Sequence, residues 1–550
     1  MIQNPILKGF HPDPCICRKG DDYYLITSTF EWFPGLPVYH SKDLKNWELL
    51  THILCDDEQV DLKKLPSAKG IWAPCLTYCE EEDTFYVVYG IMNSMNARYF
   101  DVDNYLIKAQ DIKGPWSRPV YLHSAGFDAS LCHDDDGRKW IVSLEWETRQ
   151  GYEKPGAICL VEYDGKQEKV IGYPKRIWGG GSDRGCIEAP HLTKKKGYYY
   201  LMCAEGGTGY NHCVTMARAK NPFGPYEKDP QNPILTSSPG YSNERHDPDH
   251  LKPQYYNPQS ILQKSGHGSY VDLPNGESYL VHLCARPFLP ELRCTLGRET
   301  AIQKMEWSKD GWLRMADGSN LAKMEVKEPS LKSYTRETLP AKDDFDSKDL
   351  RPDYYSPRLM PKRFVDAKAR EGHIRIRGQE SLCSLNKVSI LAKKLTGIYG
   401  LVTTKVDFEP EIYQHSAGLV LYYDNMNYIF LEKTCKDGKD KPILSLLSIE
   451  NGERKDIEEV TLDKENSPIY MRLKFAGRKC YFEWSNSGEN YKKIGEVFDL
   501  SKFSDEYCKY GEFTGTFVGM ACCDRMFHEK YADFDFFDYE IEEDRPIEGK

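Results

Sequence analysis

In the N-terminal part of the chain, one apolar/polar pattern recurs. A carboxylate or an aromatic stands just before a short apolar run, a polar turn follows, and an aromatic-rich strand comes next. Cys186-Ile187-Glu188-Ala189-Pro190-His191-Leu192 leads through the turn 194–197 into Tyr198-Tyr199-Tyr200-Leu201-Met202. Gly70-Ile71-Trp72-Ala73-Pro74-Cys75-Leu76 leads through acidic turn residues into Phe85-Tyr86-Val87-Val88-Tyr89. The same frame occurs at Phe10-His11-Pro12-Asp13-Pro14-Cys15-Ile16, at Phe127-Asp128-Ala129-Ser130-Leu131 and at Gly266-His267-Gly268-Ser269-Tyr270-Val271. Asp136-Gly137 and Asn275-Gly276 sit between apolar runs. Both mark tight hairpins, because a type I′ turn needs positive φ at both central residues. The second and fourth units also close alike, with Gly114-Pro115-Trp116 and Gly224-Pro225-Tyr226.

Five all-β units, most of them roughly 60 residues apart, predict radially repeated four-stranded sheets. The expectation is a five-bladed β-propeller over residues 1–325. In that architecture the first strand of each blade lines a central channel. Aligning the frames puts Asp13, Trp72, Asp128, Glu188 and His267 at one equivalent position, facing one axial pocket.

The repeat stops near Ala316. Residues 326–342 are charged and non-periodic, carry Pro329 and Pro340, and read as a linker. The remainder, 343–550, is again all-β. Ile469-Tyr470-Met471-Arg472-Leu473-Lys474-Phe475 alternates as a half-buried antiparallel strand should. Residues 401–408, 419–423 and 428–431 do so less strictly, and Phe534-Asp535-Phe536-Phe537-Asp538-Tyr539 reads as a closing strand. A two-sheet β-sandwich is the expectation. Residues 241–258, with Arg245, His246 and His250, read as an insertion.

Composition narrows the function classes. A chain of 550 residues is too long for one ordinary domain. The net charge is -11 and there is no basic run, which argues against a nucleic-acid or anionic-membrane partner and suits a neutral substrate. No apolar run approaches a membrane span and no signal-peptide pattern opens the chain, so a cytoplasmic location is expected. The 18 cysteines are scattered through strand-like segments, as buried thiols in a reducing compartment would be. Neither Cys15/Cys17 nor Cys522/Cys523 has the paired spacing of a zinc site. Residues 134–137 lack the ligand spacing of a calcium loop and read as a hairpin turn.

Carboxylates on inner strands are costly to desolvate without partners. Singly, each would cap a turn or pair with an arginine. Three aimed at one pocket point to chemistry. Two carboxylates flanking a bond serve glycoside hydrolysis, one as acid and the other as base or nucleophile. These roles need pKa values pushed apart, and a third carboxylate would raise the acid's pKa by like-charge repulsion. Phe30, Trp32 and Trp72 suit the apolar face of a sugar.

Together with Leu296-Gly297-Arg298-Glu299-Thr300, Asp344-Phe345-Asp346 and Phe513-Thr514-Gly515-Thr516-Phe517, these motifs resemble family 43 of the glycoside hydrolases, in particular its two-domain β-xylosidases. The likeness runs over nearly the whole chain. His-Pro-Asp-Pro alone would be a weak signal, whereas the set is specific. After Asp346 the chain reads Leu350-Arg351-Pro352-Asp353-Tyr354-Tyr355, a departure from the family's usual glutamine- or tryptophan-containing stretch.

The resemblance implies an inverting mechanism and a concanavalin-like jelly roll as the second domain. Asp13 would be the general base and Glu188 the general acid, with Asp128 raising the acid's pKa and holding it. Arg298 would bind sugar hydroxyls. Phe30, Trp72, Phe127 and Thr208 would line the subsite for the non-reducing sugar. Phe517 would reach in from the sandwich and make the enzyme exo-acting, with Phe513 the alternative in the same loop. His267 matches a central histidine that contacts substrate, water or a metal ion. No cofactor is required on this reading, with Ca2+ near His267 the one candidate ion.

The expected activity is removal of xylose from the non-reducing end of β-1,4-xylo-oligosaccharides, with α-L-arabinofuranosidase activity in addition. An arabinan-directed arabinofuranosidase or arabinanase is the enzymatic alternative. A non-catalytic carbohydrate-binding propeller is the alternative from another class. Oligomeric state, including a homo-oligomer, is left open.

Overall fold

The computed structural model describes residues 1–152, 156–240, 251–436, 441–463, 468–509 and 513–547. Arg245, His246 and His250 of the expected insertion lie outside the described residues. The architecture is all-β: the helical elements among the described residues are the short 3-10 turns Pro253–Tyr255, Pro361–Arg363 and Leu500–Lys502. No described helix is long and apolar enough to cross a membrane.

Five antiparallel sheets follow one another along the first part of the chain. Their first strands are Cys15–Lys19, Gly70–Cys79, Ser130–His133, Glu188–Lys195 and Gln263–Asp272. Each sheet is a four-stranded antiparallel meander; the first skips the short strand Trp32–Phe33, and the fourth gains a further short strand, Leu235–Thr236. The first strand of each sheet packs beside that of the next, and the fifth beside the first, which closes a ring. The N-terminus fastens this ring. Ile2–Gln3 pairs with Glu325–Val326, and the buried Asn4 side chain donates to the carbonyls of Ile302 and Lys323, both at 2.8 Å. The segment after it is fixed to the ring as well: Tyr279 Oη donates to Lys327 O, and the Tyr334 and Glu337 backbones bond Asp43 and Glu48.

The second part stacks two sheets. One runs in the order Ser389–Lys394, Phe517–Asp524, His415–Asp424, Asn427–Cys435, Pro442–Glu450, Glu453–Thr461. The other centres on Tyr399–Asp407, between Tyr531–Ile541 and Ile469–Ala476. Alternate residues Ile469, Met471, Leu473 and Phe475 are buried between the sheets, as the sequence alternation predicts.

The strand His415–Asp424 is buried at every position, and the ring explains why. Its Leu419 and Leu421 face the core between the two sheets, while Val420 and Tyr422 face the ring, packed with Phe10, Phe30 and Trp32. A sheet covered on both faces reads as a continuous apolar run. The two parts also share backbone pairing, Ser356–Pro357 with Trp32–Phe33. The buried Arg358 guanidinium donates to Leu65 O at 2.6 Å and Ser67 Oγ at 3.0 Å. Trp32, Tyr355, Tyr422 and Phe517 of this joint pack in one cluster with Phe10, Phe30 and Trp72 of the ring.

Candidate active site

The first strand of three sheets carries an extra residue near its head, and the bonds from Ser28 N–H to Pro12 O and from Leu144 N–H to Phe127 O mark the same offset just before the first strands of the first and third sheets. Trp72 pairs with Gly90 but Cys75 with Val88; Glu188 pairs with Ala204 but His191 with Met202; Gly266 pairs with Leu283 but Gly268 with His282. A left-handed non-glycine residue sits at each irregularity: Asp13 (φ 56°), Ala73 (34°), Asp128 (55°), Ala189 (50°) and His267 (50°). These five are the true equivalents. Trp72 and Glu188 stand one residue earlier, level with Phe127, which corrects the alignment drawn from sequence. A bulge turns consecutive side chains towards one side instead of alternating them. The third unit can therefore offer both Phe127 and Asp128 to the same pocket. Strained backbone of this kind is held only where its surroundings over-determine it.

The pocket is a cavity of about 440 Å³. Asp13, Asp128 and Glu188 line it, as do Phe30, Trp72, Phe127, Thr208, His267 and Arg298. Asp13 is the most heavily bonded carboxylate. It accepts from Ser28 Oγ at 2.7 Å and from Arg298 Nη1 at 3.2 Å, and His267 Nδ1 lies 3.6 Å away. Ser28 Oγ in turn accepts from the Ala73 backbone at 2.7 Å, so the first and second units together hold Asp13. Asp128 accepts the Ala189 N–H at 3.0 Å, the amide that follows Glu188. Arg298 also donates to Thr208 Oγ1 at 3.4 Å and to Phe513 O at 3.1 Å, and its guanidinium lies between the rings of Phe30 and Phe513.

The carboxylates split electrostatically. Burial works to raise Asp13, but the Arg298 guanidinium, His267 and the Ser28 hydrogen bond outweigh it and hold the carboxyl below its ordinary value. Burial pushes Glu188 up to about 7, with the charge of Asp13 the next cause and Arg298 in opposition. Burial also holds Asp128 well above the ordinary range, seconded by Glu188 and Asp13. Burial is thus the first cause of the Glu188 elevation and the charge of Asp13 the second, while Asp128 and Glu188 both stand above the ordinary carboxylate range at one pocket. One carboxylate ionised opposite one kept protonated is a division of labour between base and acid.

Phe517 does not line the cavity. It is fully buried in the joint between the two parts, stacked on Trp32 with ring centroids 3.6 Å apart and edge-on to Phe10 and Tyr355. It opens the strand Phe517–Asp524 and pairs with Lys394 and Tyr422, so the sheet fixes it away from the pocket. Trp32, also expected to meet sugar, is buried beneath it. Phe513, in the loop before that strand, is the aromatic that reaches the cavity, edge-on to Trp72 at 6.3 Å. Asp505 Oδ1 fixes it by accepting its N–H at 2.9 Å.

Sequence reading missed several lining residues. Phe100 and Trp146 stack at 3.9 Å with Phe127 against both, extending the aromatic wall outward, and Met95 joins them. His212 is 1 % exposed and bonds Lys264 O through Nδ1, leaving Nε2 without a partner. Arg298 Nε is likewise unpartnered. Such buried orphans at a cavity wall suit ligand hydroxyls. None of these residues occupies the head of a first strand, so the repeat gave no signal for them.

The surroundings of His267 do not suit Ca2+. The charged groups acting on it are Asp13, already bonded to Arg298 and Ser28, and the Arg298 cation itself. Ca2+ takes several oxygen ligands, and a fixed guanidinium opposes a second cation.

Residues 2–313 match the family described as glycosyl hydrolases family 43, and residues 342–540 match the β-xylosidase C-terminal concanavalin A-like domain. Over 554 residues the chain is 39% identical to the xylosidase/arabinosidase 43B of Humicola insolens, covering 100% of this chain and 98% of that protein. It is 40% identical to a β-xylosidase of Bacillus subtilis (strain 168), covering 98% of this chain and 99% of the other. A solved xylan β-1,4-xylosidase from Bacillus halodurans C-125 superposes with a TM-score of 0.92 at 42% identity, covering 98% of this chain and all of the other, 100%.

Proposed function

The chain belongs to family 43 of the glycosyl hydrolases, and from that premise we propose that it is an inverting, exo-acting β-xylosidase that takes xylose from the non-reducing end of β-1,4-xylo-oligosaccharides and also accepts α-L-arabinofuranosides. It is a glycoside hydrolase with a β-propeller catalytic domain and a concanavalin-like second domain. We read the five sheets as five blades over residues 1–325, residues 326–342 as the connection, and 343–550 as the second domain.

The observation that carries the reading is the opposite placement of Asp13 and Glu188 on the pKa scale at one cavity. Ionised at neutral pH, Asp13 takes a proton from water. That water attacks the anomeric carbon from the face away from the leaving group. Glu188, still protonated near neutrality, gives its proton to the departing oxygen. Asp128 keeps the Ala189 amide fixed and so sets where Glu188 stands. Arg298 and His267 orient Asp13, and with His212 they offer hydrogen bonds to sugar hydroxyls. Trp72 and Phe30 take the apolar face of the ring.

Exo action follows from the second domain, whose Phe513 covers the side of the pocket next to Phe30 and Trp72. The Phe127–Phe100–Trp146 wall lies on the outward path, where the second sugar of a chain would run. The similarity to enzymes named for both xylosidase and arabinosidase activity supports a dual preference. A time course on xylohexaose tests this: xylose and xylopentaose should be the first products. Equal cleavage of internal bonds in longer chains would contradict it.

A further inference from the structure

The residues two positions after the five strained ones form a second ring around the axis: Cys15, Cys75, Ser130, His191 and Ser269. They meet across units. Ser269 Oγ lies 3.7 Å from Cys15 Sγ, His191 Nδ1 lies 3.9 Å from Cys75 Sγ, and the Leu76 N–H donates to Cys15 Sγ at 3.3 Å. The two sulfurs and one ring nitrogen of His191 all lie within 4.8 Å of one another. Both thiols are 2 % exposed, whereas His191 is half-buried. The hydrolytic chemistry uses none of these three groups.

We propose that this second ring is a zinc site, in which Cys15 and Cys75 as thiolates and His191 as an imidazole bind one Zn2+ on the axis and tie together the first, second and fourth units. Zinc in a tetrahedral site, with bonds of about 2.3 Å to sulfur and 2.0–2.1 Å to nitrogen, holds such ligand atoms roughly 3.5–3.8 Å apart. His191 Nδ1 and Cys75 Sγ, at 3.9 Å, stand close to this spacing already, and the other pairs, within 4.8 Å, reach it by closing up to about 1 Å. The donors are soft, which selects zinc over the hard, oxygen-seeking Ca2+. Ser269 Oγ or a water takes the fourth position. Binding releases both thiol protons to solvent, and two thiolates then balance the charge of the ion. Sequence spacing could not show this site, because its ligands come from three different repeats.

Co2+ is the probe, added to the reduced full-length protein. The expected result is one Co2+ per chain with thiolate-to-cobalt charge-transfer absorption, lost on addition of Zn2+. Cys15→Ser and Cys75→Ser should each abolish the band, while His267→Asn and Cys55→Ser should keep it. On the zinc-loaded wild-type protein, X-ray absorption should count two sulfur neighbours around the metal. Absence of the thiolate band in wild type at excess Co2+, its persistence in the Cys15→Ser/Cys75→Ser protein, or a zinc without sulfur neighbours would each overturn the proposal. The wild-type measurements decide even where a variant does not fold.

Discussion

Arg298 Nη1 lies 3.2 Å from Asp13 Oδ1, and this single contact joins the proposed base to the wall of the second domain, because the same guanidinium donates to the Phe513 carbonyl at 3.1 Å. Removing it leaves burial to act on Asp13 unopposed by the nearest cation. Arg298→Ala should lower kcat/KM on xylobiose by roughly 10–100-fold, the scale of one charge-assisted hydrogen bond. The acid limb of the rate profile should move to higher pH, since Asp13 would then protonate more readily. Arg298→Lys should rescue little, because an ammonium cannot span Asp13, Thr208 and Phe513 O together. An unmoved acid limb in Arg298→Ala would show that the arginine does not set the state of Asp13.

Glu188 should govern the alkaline limb, with activity falling as pH rises through about 7. Its folded pKa is above its ordinary 4.5, so the folded state holds a proton that the unfolded chain gives up. That stabilisation is complete below pH 4.5 and is lost as pH rises through about 7. Glu188→Gln should therefore be more stable than wild type at pH 8, by up to about 3 kcal/mol, and equal to it at pH 4. Thermal melts at the two pH values check this. The same variant should lose most activity on xylobiose but retain more on an aryl xyloside whose leaving group needs no proton.

Asp128→Asn separates position from charge. An asparagine oxygen can still accept the Ala189 amide, so the geometry around Glu188 should survive. Burial and Asp13 are the leading causes of the Glu188 elevation, so the alkaline limb should stay near its wild-type place. An acidward move of about a unit would instead restore charge repulsion from Asp128 as the operative effect.

Phe513 and Phe517 should behave as opposites. Phe513→Ala removes a wall of the cavity and should raise KM on xylobiose while leaving the melting temperature nearly unchanged. Phe517→Ala opens a hole in the joint between the domains and should cost about 3–5 kcal/mol in stability. At a temperature where it remains folded, its kinetic constants should stay close to wild type.

The strand alternation at 469–475 and the repeated frames made the all-β character and the position of the pocket legible in the sequence. What misled was the frame itself. Alignment followed the chemical residues, placing Trp72 and Glu188 level with Asp13, whereas the backbone repeats the strained position now occupied by Ala73 and Ala189. A bulge shifts which neighbour faces inward, and no periodicity reports it. Phe513 and Phe517 were indistinguishable by composition. Only strand pairing with Lys394 and Tyr422 decides that Phe517 faces the domain joint. Trp146, Phe100 and His212 stand at strand ends and hairpins, where sequence position says little about direction.

The central claim is that Asp13 activates water while Glu188 protonates the leaving oxygen, a single displacement that inverts the anomeric centre. Proton NMR of the first-formed xylose from xylobiose tests it most directly, before mutarotation mixes the anomers. The account predicts α-xylose first, followed by slow appearance of the β form. β-Xylose as the initial product would mean retention and a covalent intermediate, and would contradict the assignment of Asp13 as a base.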